Sequence, residues 1–435
     1  MQGLFSEFPS SSFADWEKQV FKDLKGETPE HLCWENENGI KLSPYYTAEN
    51  CPIPYEPAFT HSDWQVGVYH SGSAKEMNAG FLRDLNHGAN AIAFEIKEHN
   101  PEALLKGIQL DLISACITLK AAQAHALKKY LDTHYKGKTL NLSLFPVSLS
   151  NEKELEEWAS LQVLFSDNPG IKSTAVDAIA YCSRGALPYY ELVLAFTQLI
   201  ETLSRSEATS VNITDILIKT STDTDFFVQI AKLRAYRRLW KLLAKEYGIT
   251  SQLYILVETD VNSLSISDAY TNLLRTTLSS MAAILGGCNE LVVLPYDRLL
   301  QGDSAFSSRM AMNQQFILKH ESYFDKMGDV ACGSYYIEHL TDALCEKSLA
   351  GIKAMESKGG YFKSLASGEI NQELEKQNKS KLEAISSGKN LRVGVNKFKN
   401  EKEKLVLSEE QLRLLNALAP HHPLLNYELF QTHKA

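Results

Sequence analysis

The sequence predicts a parallel α/β fold, either an eight-stranded barrel or an open doubly wound sheet. Three observations predict it. Short apolar runs alternate with helical patterns from about residue 60 onward. The runs are mostly continuous, as in a sheet buried on both faces, rather than alternating polar and apolar. Helices of crossover length separate them, as iterated βα units require. The lack of a G-x-G-x-x-G turn after the first run weighs against the dinucleotide-binding form of the open sheet.

Taken in order, residues 1–60 carry an amphipathic helix with Trp16, Val20, Phe21 and Leu24, then the extended stretch LSPYYTAENCPIPYEPAF. Such a segment buries its aromatic rings only by wrapping another surface. Six strands are expected, at 64–70, 90–96, 139–147, 173–181, 251–259 and 290–297. The helix DFFVQIAKLRAYRRLWKLLAKEYG places Phe226, Ile230, Leu233, Arg237 and Trp240 on one face, with Asp225 to cap it and Gly248 to end it. DAYTNLLRTTLSSMAAILGG repeats that design, with Asp268 as N-cap and Gly286–Gly287 as terminator. Residues 371–435 read as a Lys/Glu-rich helical appendage and a tail. No long internal repeat is evident.

Composition is that of an ordinary globular chain: 435 residues, 44% hydrophobic, 22% charged, with a formal charge of −9. That charge gives no electrostatic reason to bind nucleic acid or an anionic membrane. No stretch approaches the apolar length of a membrane span, and the N-terminus lacks the basic-then-apolar pattern of a leader. Seven scattered cysteines without a C-x-x-C pair fit reduced thiols in a cytoplasm.

Few motifs carry chemistry. Asp132-Thr-His134-Tyr-Lys-Gly137 satisfies D-x-H-x-x-G, by which one class of cobalamin-binding domains presents a histidine to cobalt. Here it ends a helical pattern and precedes a strand, so Gly137 reads as a helix terminator and His134 as a last-turn cation. Arg184 follows the strand expected to end at Tyr181, and faces either an anion or a neighbouring carboxylate. His421-His422, between prolines, reads as surface or interface. No metalloprotease, nucleophile-elbow or phosphate-loop pattern is present.

Several segments resemble the methylmalonyl-CoA mutases, cobalamin-dependent isomerases: FFVQIAKLRAYRRLW (226–240), DAYTNLLRTTLSSMAAILGG (268–287), GSYYIEHLTDAL (333–344), GGYFKSLASGEI (359–370) and RVGVNKF (392–398), with weaker similarity over 28–60. The resemblance implies a (β/α)8 TIM barrel with an N-terminal arm wrapping a partner subunit. In catalytic members the CoA ester threads the barrel axis, and adenosylcobalamin caps the C-terminal face and starts a radical rearrangement between methylmalonyl-CoA and succinyl-CoA.

The residues that the family uses differ here. Catalytic members carry His-Cys-Gln-Thr-Ser-Gly after the strand at 251–259, and that histidine polarises the thioester carbonyl. This chain has Leu256-Val257-Glu258-Thr259-Asp260-Val261, and leucine offers no donor. In the first-strand motif Trp64 stands for a tyrosine over the substrate, while Ser71 and Glu76 stand for two CoA-binding arginines. Arg184 stands for a substrate-facing amide, and Arg205 lies near the arginine that would hold the substrate carboxylate.

The resemblance is therefore to the small, or β, subunit of the heterodimeric enzyme. It implies a catalytically silent chain whose site positions Trp64, Arg184, Leu256 and Glu258, and CoA positions Ser71 and Glu76, are degenerate. No cobalamin-binding domain, cofactor or metal is expected in this chain, with adenosylcobalamin held by a homologous large (alpha) subunit in the cytoplasm. The expected layout is an arm at 1–60, the barrel at 61–370 and the appendage at 371–435. Two alternatives stand beside it: the substrate-binding half of a split acyl-CoA mutase with a separate cobalamin protein, and an effector-binding mouth using Arg184, Glu258 and Asp260.

Overall fold

The computed structural model describes residues 11–432 except 26, 50–54, 62, 148, 166, 169, 209–215, 302–303, 401–404 and 406. Met1–Ser10, to which the expectation of no leader applies, lies outside the described residues, as do residues 50–54 of the extended stretch and 433–435 of the tail.

Nine parallel strand segments form one sheet. Two of them, Ile171–Lys172 and Thr174–Asp177, are separated only by Ser173 and act as one strand, β5. The others are β1 (Gln65–Tyr69), β2 (Ala91–Glu95), β3 (Ser114–Leu119), β4 (Asn141–Pro146), β6 (Ile216–Thr222), β7 (Leu253–Thr259) and β8 (Glu290–Val292). The first half of β5 pairs with β4 and the second half with β6, so the sheet closes on itself. β8 pairs with both β1 and β7. Closure selects the (β/α)8 barrel over the open sheet.

Two strands lie outside the six expected from sequence. β3 runs straight into a helix with no turn signal between them, and β6 carries Lys219 within its apolar run. The strand expected to reach Tyr181 stops at Asp177, whose Oδ1 accepts the Ile179 N–H (3.0 Å) and turns residues Ile179–Cys182 into a short helix. That strand is the fifth of the barrel, and β8 is shorter than the run 290–297.

The helices are α1 (Phe13–Asp23), α2 (Ala74–Asn86), α3 (Ala121–His134), α4 (Glu152–Leu164), α5 (Pro188–Ala208), α6 (Phe226–Glu246), α7 (Thr271–Leu285), α8 (Ala305–Phe316), α9 (Tyr335–Ser357), α10 (Gly360–Ala366), α11 (Glu369–Ser386), α12 (Glu409–Leu418) and α13 (Pro423–Thr432). In α6 the cation on the apolar face is explained by its partners: Arg237 is buried and donates to the Leu253 carbonyl (2.8 Å) and to Asn289 Oδ1 (3.0 Å). Asp225 occupies the N-cap of α6 without a side-chain cap bond. The second helix begins two residues later than expected, with Tyr270 at its N-cap, and Asp268 accepts the Thr271 N–H (3.1 Å).

α9 lies across α5 and α6. Arg234, fully buried, donates to Asp329 and to Glu338 (2.6 Å for the latter), and Arg238 joins Glu338 to Asp342. Asp329 also accepts the Ala58 N–H (2.8 Å), which ties the arm into the same network.

Among its described residues, the arm packs on this chain's own barrel at Ile40, Leu42 and Ala58. A hairpin pairs Trp34–Glu35 with Lys41–Leu42. Asn36 Oδ1 accepts the Asn38 and Ile40 N–H groups (3.0 and 3.1 Å), and Gly39 takes the positive φ of +68° that the turn demands. Ile40 and Leu42 enter the main core. α1, by contrast, has no buried residue; its Phe13 and Trp16 rings sit 5.4 Å apart, and Trp16 meets Tyr45 at 5.1 Å.

Because Arg234 neutralises two carboxylates inside the core, Arg234→Met is expected to lose about 3–5 kcal/mol of stability. Urea unfolding followed by circular dichroism measures this, and a loss under about 1 kcal/mol would show the network to be expendable.

Candidate functional site

Side chains alternate along each strand between the helical layer and the lumen. Ile255 and Val257 of β7 join the large outer core, whereas Tyr254 and Leu256 belong to a separate inner cluster. That inner cluster draws one residue from each of seven strands: Ala93, Cys116, Phe145, Ala175, Leu217, Leu256 and Val292, each at most 1% exposed. These residues form the middle of the stacked layers that fill such barrels. The lumen is packed through by hydrocarbon, and Leu256 stands in it.

Above this layer, toward the C-terminal ends of the strands, the inward residues are polar. Lys219 of β6 pairs with Asp177 of β5 at 3.3 Å. Burial works against the ammonium charge, but Asp177, with smaller contributions that include Glu258, outweighs it and raises its pKa. Arg298 lies 4.7 Å from the centre of the Tyr69 ring. Burial, reinforced by Glu258, pushes the Tyr69 phenol up despite Arg298. The mouth thus carries fixed charges of both signs over a closed floor.

Below the layer, Glu290 of β8 accepts from Ser114 Oγ (2.8 Å) and Tyr254 OH (3.2 Å). Its other oxygen, Oε1, and Ser143 Oγ are buried polar atoms without a hydrogen-bond partner among the described residues. Burial pushes the Glu290 carboxyl up to about 7, although Ser114, Tyr254, Lys172 and Lys219 favour its ionised form.

The expected site positions do not converge. Trp64 sits just before β1, at the end of the strand away from the mouth, with Nε1 donating to Gln315 Oε1 (3.3 Å). Ser71 lies in the turn between β1 and α2. Glu76 completes the capping box of α2: its carboxylate accepts from the Ser73 N–H (3.0 Å) and Oγ (2.7 Å), which hold its pKa down. The signal for this is in the sequence, since S-x-x-E before an apolar run is the capping-box pattern. Arg184 turns away from the axis and donates to Asn371 Oδ1 (2.8 Å). Arg205, near the end of α5, pairs with Glu152 (3.1 Å) and Glu201 (3.5 Å). Only Leu256 and Glu258 face the axis.

Asp260 caps a short turn through the Asn262 N–H (3.0 Å) and lines a small crevice with Glu37, Asp223, Lys381 and Arg392. Burial and the neighbouring Asp223 push its carboxyl up to about 7. The crevice is where the arm and the appendage meet the mouth loops. Glu428 of α13 clamps the loop after β7, accepting from the Ile266 N–H (3.0 Å) and the Ser267 N–H (3.1 Å). Sequence reasoning missed Lys219, Asp177 and Glu290 as inward residues. The signal for β6 is the period-2 set Ile216, Ile218, Thr220 and Thr222.

The D-x-H-x-x-G match does not fit a cobalt-presenting loop. His134 ends α3 with Nε2 at 2.9 Å from Glu102 Oε1, and Gly137 takes a φ of +75°. Of the pair expected at a surface or interface, His421 is exposed and His422 is buried, and burial pushes the His422 pKa down to about 4. Among the described residues no group of three metal-ligating side chains is present, and no helix is long and apolar enough to cross a membrane.

A family model described as methylmalonyl-CoA mutase matches residues 145–414. A relative named methylmalonyl-CoA mutase small subunit, from Porphyromonas gingivalis, is 28% identical over 91% of this chain and 71% of its own length. Proteins named methylmalonyl-CoA mutase from Cereibacter sphaeroides and Escherichia coli are each 26% identical, over 89% and 90% of this chain. The chain spans 64% and 65% of those two relatives, under two thirds of their length. A crystal structure of Yersinia pestis dihydropteroate synthase aligns over 66% of this chain and 99% of that one, with a TM-score of 0.33 and 13% identity.

Two outcomes are expected of the lumen. Leu256→Ala deletes buried methyls from a packed layer and is expected to lose about 2–5 kcal/mol in urea unfolding. Glu290, with its folded pKa raised from 4.5 to about 7, contributes stability that is present at acid pH and lost as pH rises through 7. Glu290→Gln is therefore expected to gain on the parent chain in melting temperature as pH rises from about 5 to about 7. A difference that does not change with pH would contradict the assignment.

Proposed function

Because the chain belongs to the methylmalonyl-CoA mutase family, we propose that it is a non-catalytic small subunit of an adenosylcobalamin-dependent methylmalonyl-CoA mutase. On this reading a homologous large subunit carries the cofactor and isomerises methylmalonyl-CoA to succinyl-CoA, and this chain stabilises the heterodimer. The observation that carries the proposal is the filled lumen. Ala93, Cys116, Phe145, Ala175, Leu217, Leu256 and Val292 occupy the axis along which a CoA thioester would have to thread. A cavity for a pantetheine arm would require several of these side chains to leave at once, each at the cost of its burial.

Leu256 supports the same reading chemically, since a hydrocarbon side chain cannot donate to a thioester carbonyl. The same plug speaks against the split-mutase alternative, because the substrate-binding half of an enzyme needs an open axis. The name of the Porphyromonas relative supports the subunit assignment. The amphipathic α1, which has no fully buried residue and leaves Phe21 exposed, supports an interface role for the arm.

The test is turnover and mass together. The purified chain with adenosylcobalamin and methylmalonyl-CoA is expected to form no succinyl-CoA. Native mass spectrometry of the tagged chain isolated gently from its host is expected to show a complex with one homologous, cobalamin-carrying subunit. Turnover by this chain alone would contradict the proposal, as would a complex with a small stand-alone cobalamin protein.

A further inference from the structure

Beside the barrel mouth, between the loop after β4, the short helix Ile179–Cys182 and helices α10 and α11, lies a cavity of about 540 Å³. Its size falls in the range of small-molecule sites, roughly 300–1,000 Å³. One wall is apolar, made by Leu149, Leu365 and Ile370; the other presents Ser150, Arg184 and Asn371. Arg184 is partly buried, and its guanidinium donates to the neutral amide of Asn371 (2.8 Å). Among the described residues it has no ion-pair partner, so the neighbouring carboxylate expected as one alternative for Arg184 is not found there. The phenols that line the cavity are engaged elsewhere: Tyr181 donates to Gln198, and its oxygen lies 2.9 Å from that of Tyr361.

A guanidinium that lines a crevice without a protein counterion offers an incoming anion a charge-assisted hydrogen bond. We propose that this cavity binds a small monocarboxylic acid with an apolar tail. The carboxylate would take the planar fork of Arg184, which matches two carboxylate oxygens at once. The tail would lie on Leu149, Leu365 and Ile370. One guanidinium balances one carboxylate, whereas a doubly charged phosphate would leave one charge unbalanced in a chain already at −9. Position is fixed by Gly185, whose φ of +88° turns the chain directly after the arginine, where a Cβ would lie 2.9 Å from Asn378 Oδ1. The inference does not depend on the silent-subunit reading, because the cavity lies off the barrel axis.

The test uses the full chain as purified, with any subunit that accompanies it, and follows melting temperature and calorimetric affinity. The probes are hexanoate, hexylamine, hexanol and hexyl phosphate. Hexanoate is expected to raise the melting temperature, since it binds the native state alone, and to bind more tightly than the other three. Arg184→Gln is expected to weaken hexanoate binding roughly tenfold or more, while Arg184→Lys retains part of it. No shift with hexanoate, an equal affinity for hexyl phosphate, or unchanged binding by a folded Arg184→Gln variant each overturns the proposal. Should Arg184→Gln fail to fold, Leu365→Trp decides the matter: it fills the apolar side without touching the guanidinium, and hexanoate binding that survives it overturns the proposal too.

Discussion

The alternation of β7 is the constraint on which the rest depends. It sends Ile255 and Val257 outward to the helices and leaves Leu256 facing the axis, where six other inward residues meet it. Once that layer is closed by hydrocarbon, the barrel is a solid core rather than a conduit. The polar groups on either side then serve local structure. Above, Lys219 and Asp177 balance each other at the mouth. Below, Glu290 is held by a serine and a tyrosine and disfavours its own charge.

The outer shell follows a different logic. Burying Arg234 with Asp329 and Glu338 stabilises little relative to a hydrocarbon core, because desolvation offsets most of the attraction. It does fix geometry: the arm, α6 and α9 share one network through Asp329 and Glu338. On the mouth side, Glu428 and Arg392 bind the appendage to the loops after β7 and β6, with Arg392 donating to Thr224 Oγ1 (2.9 Å). The barrel is thereby held at both its flank and its mouth by segments that flank it in sequence. α1 is the exception, an amphipathic helix that meets its own chain through Tyr45 and has no fully buried residue.

Much of this is legible in the amino-acid sequence alone. Continuous apolar runs point to the parallel sheet, and caps and glycines place α6 and α7 to within a few residues. Leu256 stands out in sequence as the position where a donor is missing. Whether the axis is open depends on six residues from other strands, which no local pattern links. Strand β6 is hidden by Lys219, a cation inside an apolar run, whose tolerance depends on Asp177, 42 residues away in sequence. For Trp64 and Glu76 the resemblance points to lost substrate contacts; the structure gives each a local role, one at the base of β1 and one in a helix cap. Arg184 is legible as a residue type, but its direction is not. β5 ends at Asp177 and a short helix begins at Ile179, and that early turn re-aims the side chain.

The most direct measurement is isothermal titration of the isolated chain with a methylmalonyl-CoA thioester, read beside a Leu256→Ala variant that opens space in the lumen. A packed axis predicts no saturable heat from the parent chain even at millimolar thioester. Micromolar binding by the parent chain, with the thioester protecting lumen-facing Cys116 from a thiol reagent, would mean that the axis opens and that the chain retains a substrate site.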